Sequence, residues 1–268
     1  MAQRILTGVI SAALLLVVIW VRGLVFDIAV ALVCLLCCYE IIGAFCKAGL
    51  HPPRFPVYGM AAAMLPLFWW VGVQGVYMAG FLAAMGVMLQ ITLRKHPAWP
   101  DAAASLTALI SVLVPLTMML ALIRLEPSLF GAWMTLLAFV IALLGDTFAY
   151  FVGVSVGKHR MAPELSPKKT WEGSAAGLLG SVVGALLMGL LGQLWLDMPP
   201  LWHFLVLGLI GGVFGQLGDL SASLVKRYCG VKDYGTLFPG HGGMMDRVDS
   251  VLFVTYVVFG YCLLSGLI

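Results

Sequence analysis

The polar residues of this 268-residue sequence concentrate between positions 215 and 250. Asp219, Ser223 and Lys226 fall at i, i+4 and i+7, which puts them on one face of a helix. Arg227 and Lys232 follow, and then Pro239-Gly240-His241-Gly242-Gly243, a run that must be irregular backbone. Asp246, Arg247 and Asp249 come next, the two acids three residues apart at the start of a further helix. Carboxylates there can serve as helix-dipole partners. Capping alone requires neither two acids, nor an adjacent arginine, nor a glycine loop in front of them. Such a loop can aim backbone N–H groups at an anion. Three carboxylates, Asp219, Asp246 and Asp249, suit a hard divalent cation that prefers oxygen ligands. The pattern predicts a metal–phosphate site. His241 on its own reads as a packed or capping histidine, not as a general base.

A second polar segment, 153–172, carries Lys158, His159, Arg160, Lys168 and Lys169 among Ser166, Thr170 and Glu172, with Pro163 and Pro167 fixing the chain. Basic residues beside a membrane can act as an orientation signal or contact anionic lipid. Lysines mixed with hydroxyls also suit phosphate oxygens. Elsewhere, single carboxylates stand in apolar surroundings, where each costs about 2.5–3.5 kcal/mol at a span's centre and is a functional candidate by default. Asp146 is one, either functional or bonded to a neighbouring Thr or Tyr. Glu40 is another, late in its span. Asp27 lies near a helix end and is expected to be solvated.

The elements that must position these groups are membrane helices. Hydrophobic residues make up 62% of the chain and charged residues 10%, against about 45–50% and 25% in soluble domains. The uncharged runs are far longer than the roughly ten-residue alternating strands of a membrane β-barrel. A spanning helix needs about 17–25 apolar residues. Runs of that kind occur near 5–21, 24–46, 57–73, 76–93, 102–123, 128–152, 173–196, 201–228 and 248–267. The uncharged stretch 57–93 would make about 55 Å of helix, too long for one crossing, so it is divided at Gln74-Gly75. The expectation is an all-α polytopic membrane protein of nine spans, its first span retained as a helix and not removed as a leader.

With the N-terminus inside and the C-terminus outside, only Arg22 and Arg124 of the 15 basic residues fall in outer loops. That is the bias of the positive-inside rule. The net charge of +3 gives no reason to expect nucleic acid. Cys34, Cys37 and Cys38 lack a second ligand pair at zinc spacing and read as small packing residues. Residues 1–130 are bland hairpins, a scaffold or dimer surface, and residues 131–268 hold the catalytic region.

The segment 219–249 resembles the signature of phosphatidate cytidylyltransferases, also called CDP-diacylglycerol synthases. The residues that carry the likeness are Ser223, Lys226-Arg227, Lys232-Asp233, Pro239 to Gly243, Asp246-Arg247 and Asp249. Ser166-Pro167-Lys168-Lys169-Thr170, Glu172-Gly173, Asp146 with Ala149-Tyr150, and Gly157-Lys158 are also similar to that family. The resemblance implies that CTP and phosphatidate give CDP-diacylglycerol and pyrophosphate, with Mg²⁺ as one ion or two. It implies Asp219, Asp246 and Asp249 as metal ligands, and Lys226 and Arg227 as catalytic cations. Ser166, Lys168, Lys169, Ser223, Lys232, Gly240, His241, Gly242, Gly243, Arg247, Asp146 and Lys158 would bind substrate at the cytoplasmic face of the cell's inner membrane. A CTP-dependent polyprenol kinase and a transporter of an anionic substrate are the alternative readings. The kinase would need a base for its alcohol. The transporter would place charges near the midplane in both halves.

The orientation has a direct check. A reporter fused after Ile268 should read outside and one in the loop at Pro163 should read inside; the same side for both would break the nine-span count.

Overall fold

The computed structural model describes residues 2–238 and 242–266. It is built from nine α-helices and one small β-hairpin: α1 (Ala2–Val21), α2 (Gly23–Lys47), α3 (Arg54–Thr92), α4 (Trp99–Ala108), α5 (Val114–Leu122), α6 (Ser128–Val156), β1 (Arg160–Ala162), β2 (Ser166–Thr170), α7 (Trp171–Trp195), α8 (Leu201–Tyr228) and α9 (Met245–Leu264). A π-helical turn at Leu109–Leu113 joins α4 to α5, so Trp99–Leu122 runs as one apolar span. Seven described helices, counting that span as one, are long and apolar enough to cross a membrane. The expected all-α membrane architecture is present.

α3, 39 residues long, takes in nearly all of the stretch 57–93 that the sequence divides in two. The break falls at Gly72, not at Gln74-Gly75. Gly72 alone leaves helical geometry, with φ 79° and ψ −168°, a conformation essentially reserved for glycine. Gly75 keeps a negative φ and stays helical. Beyond the break the chain doubles back: a Cβ on Gly86 would lie 3.8 Å from Pro56. The two halves of α3 are therefore an antiparallel hairpin turned on one residue.

The chain forms two units, one comprising Met1–Ala121 and Lys226–Val248, the other Leu122–Val225 and Asp249–Ile268. The units interleave in sequence: 226–248, grouped by sequence with the C-terminal region, clusters with the N-terminal helices. In the first unit α2, α3 and α4 pack on one another. Cys34, Cys37 and Cys38 are fully buried and unbridged there, as expected of small packing residues. Asp27 departs from its expectation of solvation. It is buried and accepts a 2.8 Å hydrogen bond from Trp69 Nε1, because the α3 hairpin covers that end of α2 with an indole donor. The α2–α3 connection is pinned by Asp101, which accepts from His51 N at 2.8 Å and pairs with Arg94 at 2.9 Å. Ser105 Oγ donates to Pro53 O at 3.0 Å.

In the second unit α6 packs along α7. Small residues let the backbones approach closely, as is usual between membrane helices. A Cβ on Gly177 would sit 2.9 Å from Gly145 O, and one on Gly180 would sit 2.8 Å from Leu144 O. The basic segment after α6 contains a β-hairpin. β1 and β2 pair antiparallel around the turn at 163–165. The Thr170 side chain then caps α7 by accepting from Gly173 N at 3.1 Å. His159 Nδ1 meets Glu172 Oε1 at 2.6 Å and closes the hairpin's base.

Candidate active site

In the first unit the polar groups organise the loop between α8 and α9. Helix α8 ends in a glycine cap: Gly230 has φ 66°, and Gly230 N and Val231 N bond back to Arg227 O and Lys226 O at 3.1 and 3.0 Å. The chain then passes Tyr234. A backbone bridge closes a loop between Phe238 and Gly242, with Phe238 N donating to Gly242 O at 2.9 Å. Pro239, Gly240 and His241 lie outside the described residues.

Asp246 is the fastening point of this loop. Its Oδ2 accepts from Tyr234 N at 2.8 Å and from Gly243 N at 3.0 Å. Its Oδ1 accepts from Lys226 Nζ at 2.8 Å. The pair is well sheltered, the Asp246 side chain being 3% exposed and that of Lys226 12%. The Lys226 ammonium also stands 5.4 Å over the Tyr234 ring, within cation–π range. The two glycines before Asp246 are required by contact. Gly242 has φ 83° and a Cβ on it would meet Asp246 Oδ2 at 2.9 Å. A Cβ on Gly243 would fall on the carboxylate of Glu40.

Glu40 is the group whose role the sequence left open. It is buried in α2, and its two oxygens accept from Met244 N at 2.9 Å and Met245 N at 2.8 Å. A carboxylate from another helix thus satisfies orphan N–H groups at the start of α9 and complements its dipole. The sequence signal was a lone acid in an apolar span; its partner, about 200 residues away, left none. Tyr234, whose backbone and ring both serve the pair, carried no signal at all.

In the second unit Lys169 Nζ pairs with Asp219 Oδ2 at 2.7 Å, joining β2 to α8. Both side chains are partly exposed. The backbones of α8 and α9 touch beside them, since a Cβ on Gly218 would meet Asp249 O at 2.7 Å. Asp249 is buried and its Oδ1 accepts from Ser250 N at 2.8 Å. Ser250 Oγ donates to Asp146 Oδ2 at 3.2 Å, an interhelical hydrogen bond whose partner is a serine and not the Thr or Tyr expected. Ser223 is buried on α8, and Ser166 opens β2. Lys158, Lys168, Arg227, Lys232 and Arg247 are exposed.

Both pairs are carboxylate with ammonium. Among the described residues no three His, Cys, Asp or Glu side chains are grouped to hold a metal ion. The donor chemistry nevertheless suits a hard cation. Asp219 and Asp249 offer only oxygen, and a lysine ammonium stands on Asp219 as a cation would. Asp246 can offer at most Oδ1, because two backbone N–H groups take up Oδ2.

A family model described as the cytidylyltransferase family matches residues 2–265. The phosphatidate cytidylyltransferase of Staphylococcus epidermidis is 33% identical over 258 residues, covering 95% of this chain and 96% of that protein. Proteins of the same name from Staphylococcus saprophyticus and Staphylococcus aureus are 33% and 34% identical, with the same coverage.

The buried pair predicts a thermodynamic cycle. Lys226→Met leaves Asp246 charged without its counter-ion and should cost about 3–5 kcal/mol in detergent unfolding. Adding Asp246→Asn should return part of that loss. Strictly additive costs would mean that the two side chains do not interact.

Proposed function

This chain belongs to the cytidylyltransferase family, and from that we propose that it transfers CMP from CTP to phosphatidate, giving CDP-diacylglycerol and pyrophosphate. The supporting observation is a similarity to phosphatidate cytidylyltransferases that runs over 95% of the chain. The chemistry of the polar segments agrees with it. An oxygen of the lipid phosphomonoester forms the new bond to the α-phosphorus of CTP. The bond from that phosphorus to the bridging oxygen of the β-phosphate breaks, and its electron pair leaves on pyrophosphate. A phosphomonoester is largely ionised near pH 7, since its second pKa is about 6, so no side chain has to take a proton.

The difficulty is charge, because one anion attacks another. Lys169 and Lys226 are already held beside carboxylates, and both can turn an ammonium hydrogen to a phosphate oxygen while keeping the pair. Arg227, Lys232 and Arg247 are exposed cations on the same segment. Lys158 precedes the hairpin, and Lys168 and Ser166 lie in its second strand. Gly240, His241, Gly242 and Gly243 are proposed as substrate contacts as one run of sequence, although Gly242 and Gly243 pack against the Asp246 and Glu40 carboxylates. Asp219, Asp249 and the Oδ1 of Asp246 are the ligands proposed for Mg²⁺, one ion or two. Bound there, Mg²⁺ would neutralise phosphate charge and stabilise the leaving pyrophosphate. The setting proposed is a bacterial cytoplasmic membrane, crossed nine times with the N-terminus and the site inside, CTP arriving from water and phosphatidate from the leaflet. A homodimer through the first half belongs to the same proposal.

Purified protein with phosphatidate and CTP labelled at the α-phosphate should give a labelled lipid on thin-layer chromatography, and none when the label is at the γ-phosphate. Label from the γ-position would identify a kinase, and none from either would end the enzyme reading. Asp219→Asn or Asp249→Asn should lower turnover by about 10² or more, roughly 2.7 kcal/mol of transition-state stabilisation.

Without a general base, His241→Gln should keep measurable activity and the parent's rate profile between about pH 6 and 9, the window in which a histidine of pKa near 6.5 would titrate. Loss of an acid limb together with turnover would make His241 the base.

A further inference from the structure

The first unit contains a cleft of about 470 Å³ that has been given no role above. Its volume lies within the roughly 300–1,000 Å³ usual for small-molecule sites. One wall is a stripe of α2: Leu36, Tyr39, Gly43 and Lys47 line it at i, i+3, i+7 and i+11. The stripe continues one turn further into the span as the exposed Leu32. Arg54 and Tyr58, from the start of α3, form the opposite side. The remaining wall is the α8–α9 loop itself, Tyr234 to Leu237. Glu40 also lines it, its oxygens occupied by the two N–H groups of α9.

Resting on the phosphatidate cytidylyltransferase reading, we infer that this cleft is the binding site for the lipid substrate, with Lys47 and Arg54 holding its phosphomonoester. Four observations converge on that occupant. First, the two cations are exposed at one end, and among the described residues neither has an ion-pair partner; Arg54 donates only a weak 3.3 Å contact to Cys46 Sγ. A guanidinium and an ammonium side by side suit a phosphomonoester with three acceptor oxygens. Second, the cleft changes character along α2, from Lys47 at the helix end to Leu36 and the exposed Leu32. An amphipathic ligand whose charged head sits at the membrane surface and whose chains run into the bilayer matches that gradient; a nucleotide does not. Third, Gly43 stands in the middle of the stripe, where a Cβ would meet nothing within 4 Å, so the absence of a side chain there is what keeps the groove open. Fourth, Tyr234 lines the cleft while its backbone N–H binds Asp246. A head group seated here touches the loop that Asp246, a proposed metal ligand at the start of α9, fastens. The cations of the N-terminal helices would thereby serve phosphatidate, and those of the second unit CTP.

Cys46 supplies a readout that does not depend on turnover. It lines the cleft, and it is the one described cysteine that is not buried. Short-chain phosphatidate in mixed micelles should slow maleimide alkylation of Cys46 at least about fivefold. CTP, inorganic phosphate and the matching diacylglycerol should not. In steady-state assays Lys47→Met with Arg54→Met should raise the KM for phosphatidate at least about tenfold and leave the KM for CTP unchanged. Gly43→Leu, which fills the groove without touching a charge, should do the same. Protection by CTP, or a KM change confined to CTP, would make the cleft a nucleotide site and overturn the assignment. Equal protection by inorganic phosphate would make it a phosphate site without lipid recognition and overturn it too. Unchanged kinetics in both variants, with no protection, would leave the cleft without a ligand and overturn it as well. A parent protein that forms no CDP-lipid, yet in which phosphatidate still protects Cys46, would fail the enzyme reading and keep the lipid site.

Discussion

Backbone N–H groups captured by buried carboxylates hold the loop between α8 and α9 in place. Asp246 takes the amides of Tyr234 and Gly243, and Glu40 takes those of Met244 and Met245. Charge-assisted bonds of this kind are roughly twice as strong as neutral ones. Each carboxylate is compensated, Asp246 by Lys226 and Glu40 by the positive end of α9. The glycines follow from this arrangement, because a Cβ at 242 or 243 would collide with one acid or the other. An irregular segment at the end of membrane helices is thus ordered without a sheet or a disulfide.

The fold class and the polar signature were legible in the sequence because both are local. Long uncharged runs can only be membrane helices, and acids, cations and glycines within about 35 positions show their chemistry by spacing alone. What was hidden depends on distant partners. Glu40 looked like a stray acid because the amides it binds lie about 200 residues later. Asp27 looked solvated because the indole of Trp69 covers it from another helix. The hairpin turn was placed too late in the chain because Gly72 and Gly75 look alike as letters and differ only in φ. The short strands at 160–170 were masked by the prolines inside and beside them, which hide any alternating pattern.

The cationic side chains divide by their surroundings. Lys169 and Lys226 are paired with acids and fixed in direction, which suits groups that must meet charge developing during a reaction. Lys47 and Arg54, without an acid partner among the described residues, stand at the mouth of a cleft, which suits capture of a ligand that arrives already charged. A reaction between two anions needs both kinds, one to collect and one to stabilise, and here they lie on different stretches of the chain.

The hairpin in α3 has a consequence for biogenesis. Its two halves are joined by one non-helical glycine, so no hydrophilic connection marks the turn. Translocation machinery would meet 39 residues without a polar connection between the two halves. The pair would have to partition into lipid as a single event, with Arg54 and Thr92 left on the side from which they entered. Lengthening that turn with polar residues would convert one insertion step into two and expose a segment that the native protein never presents to the far side of the membrane.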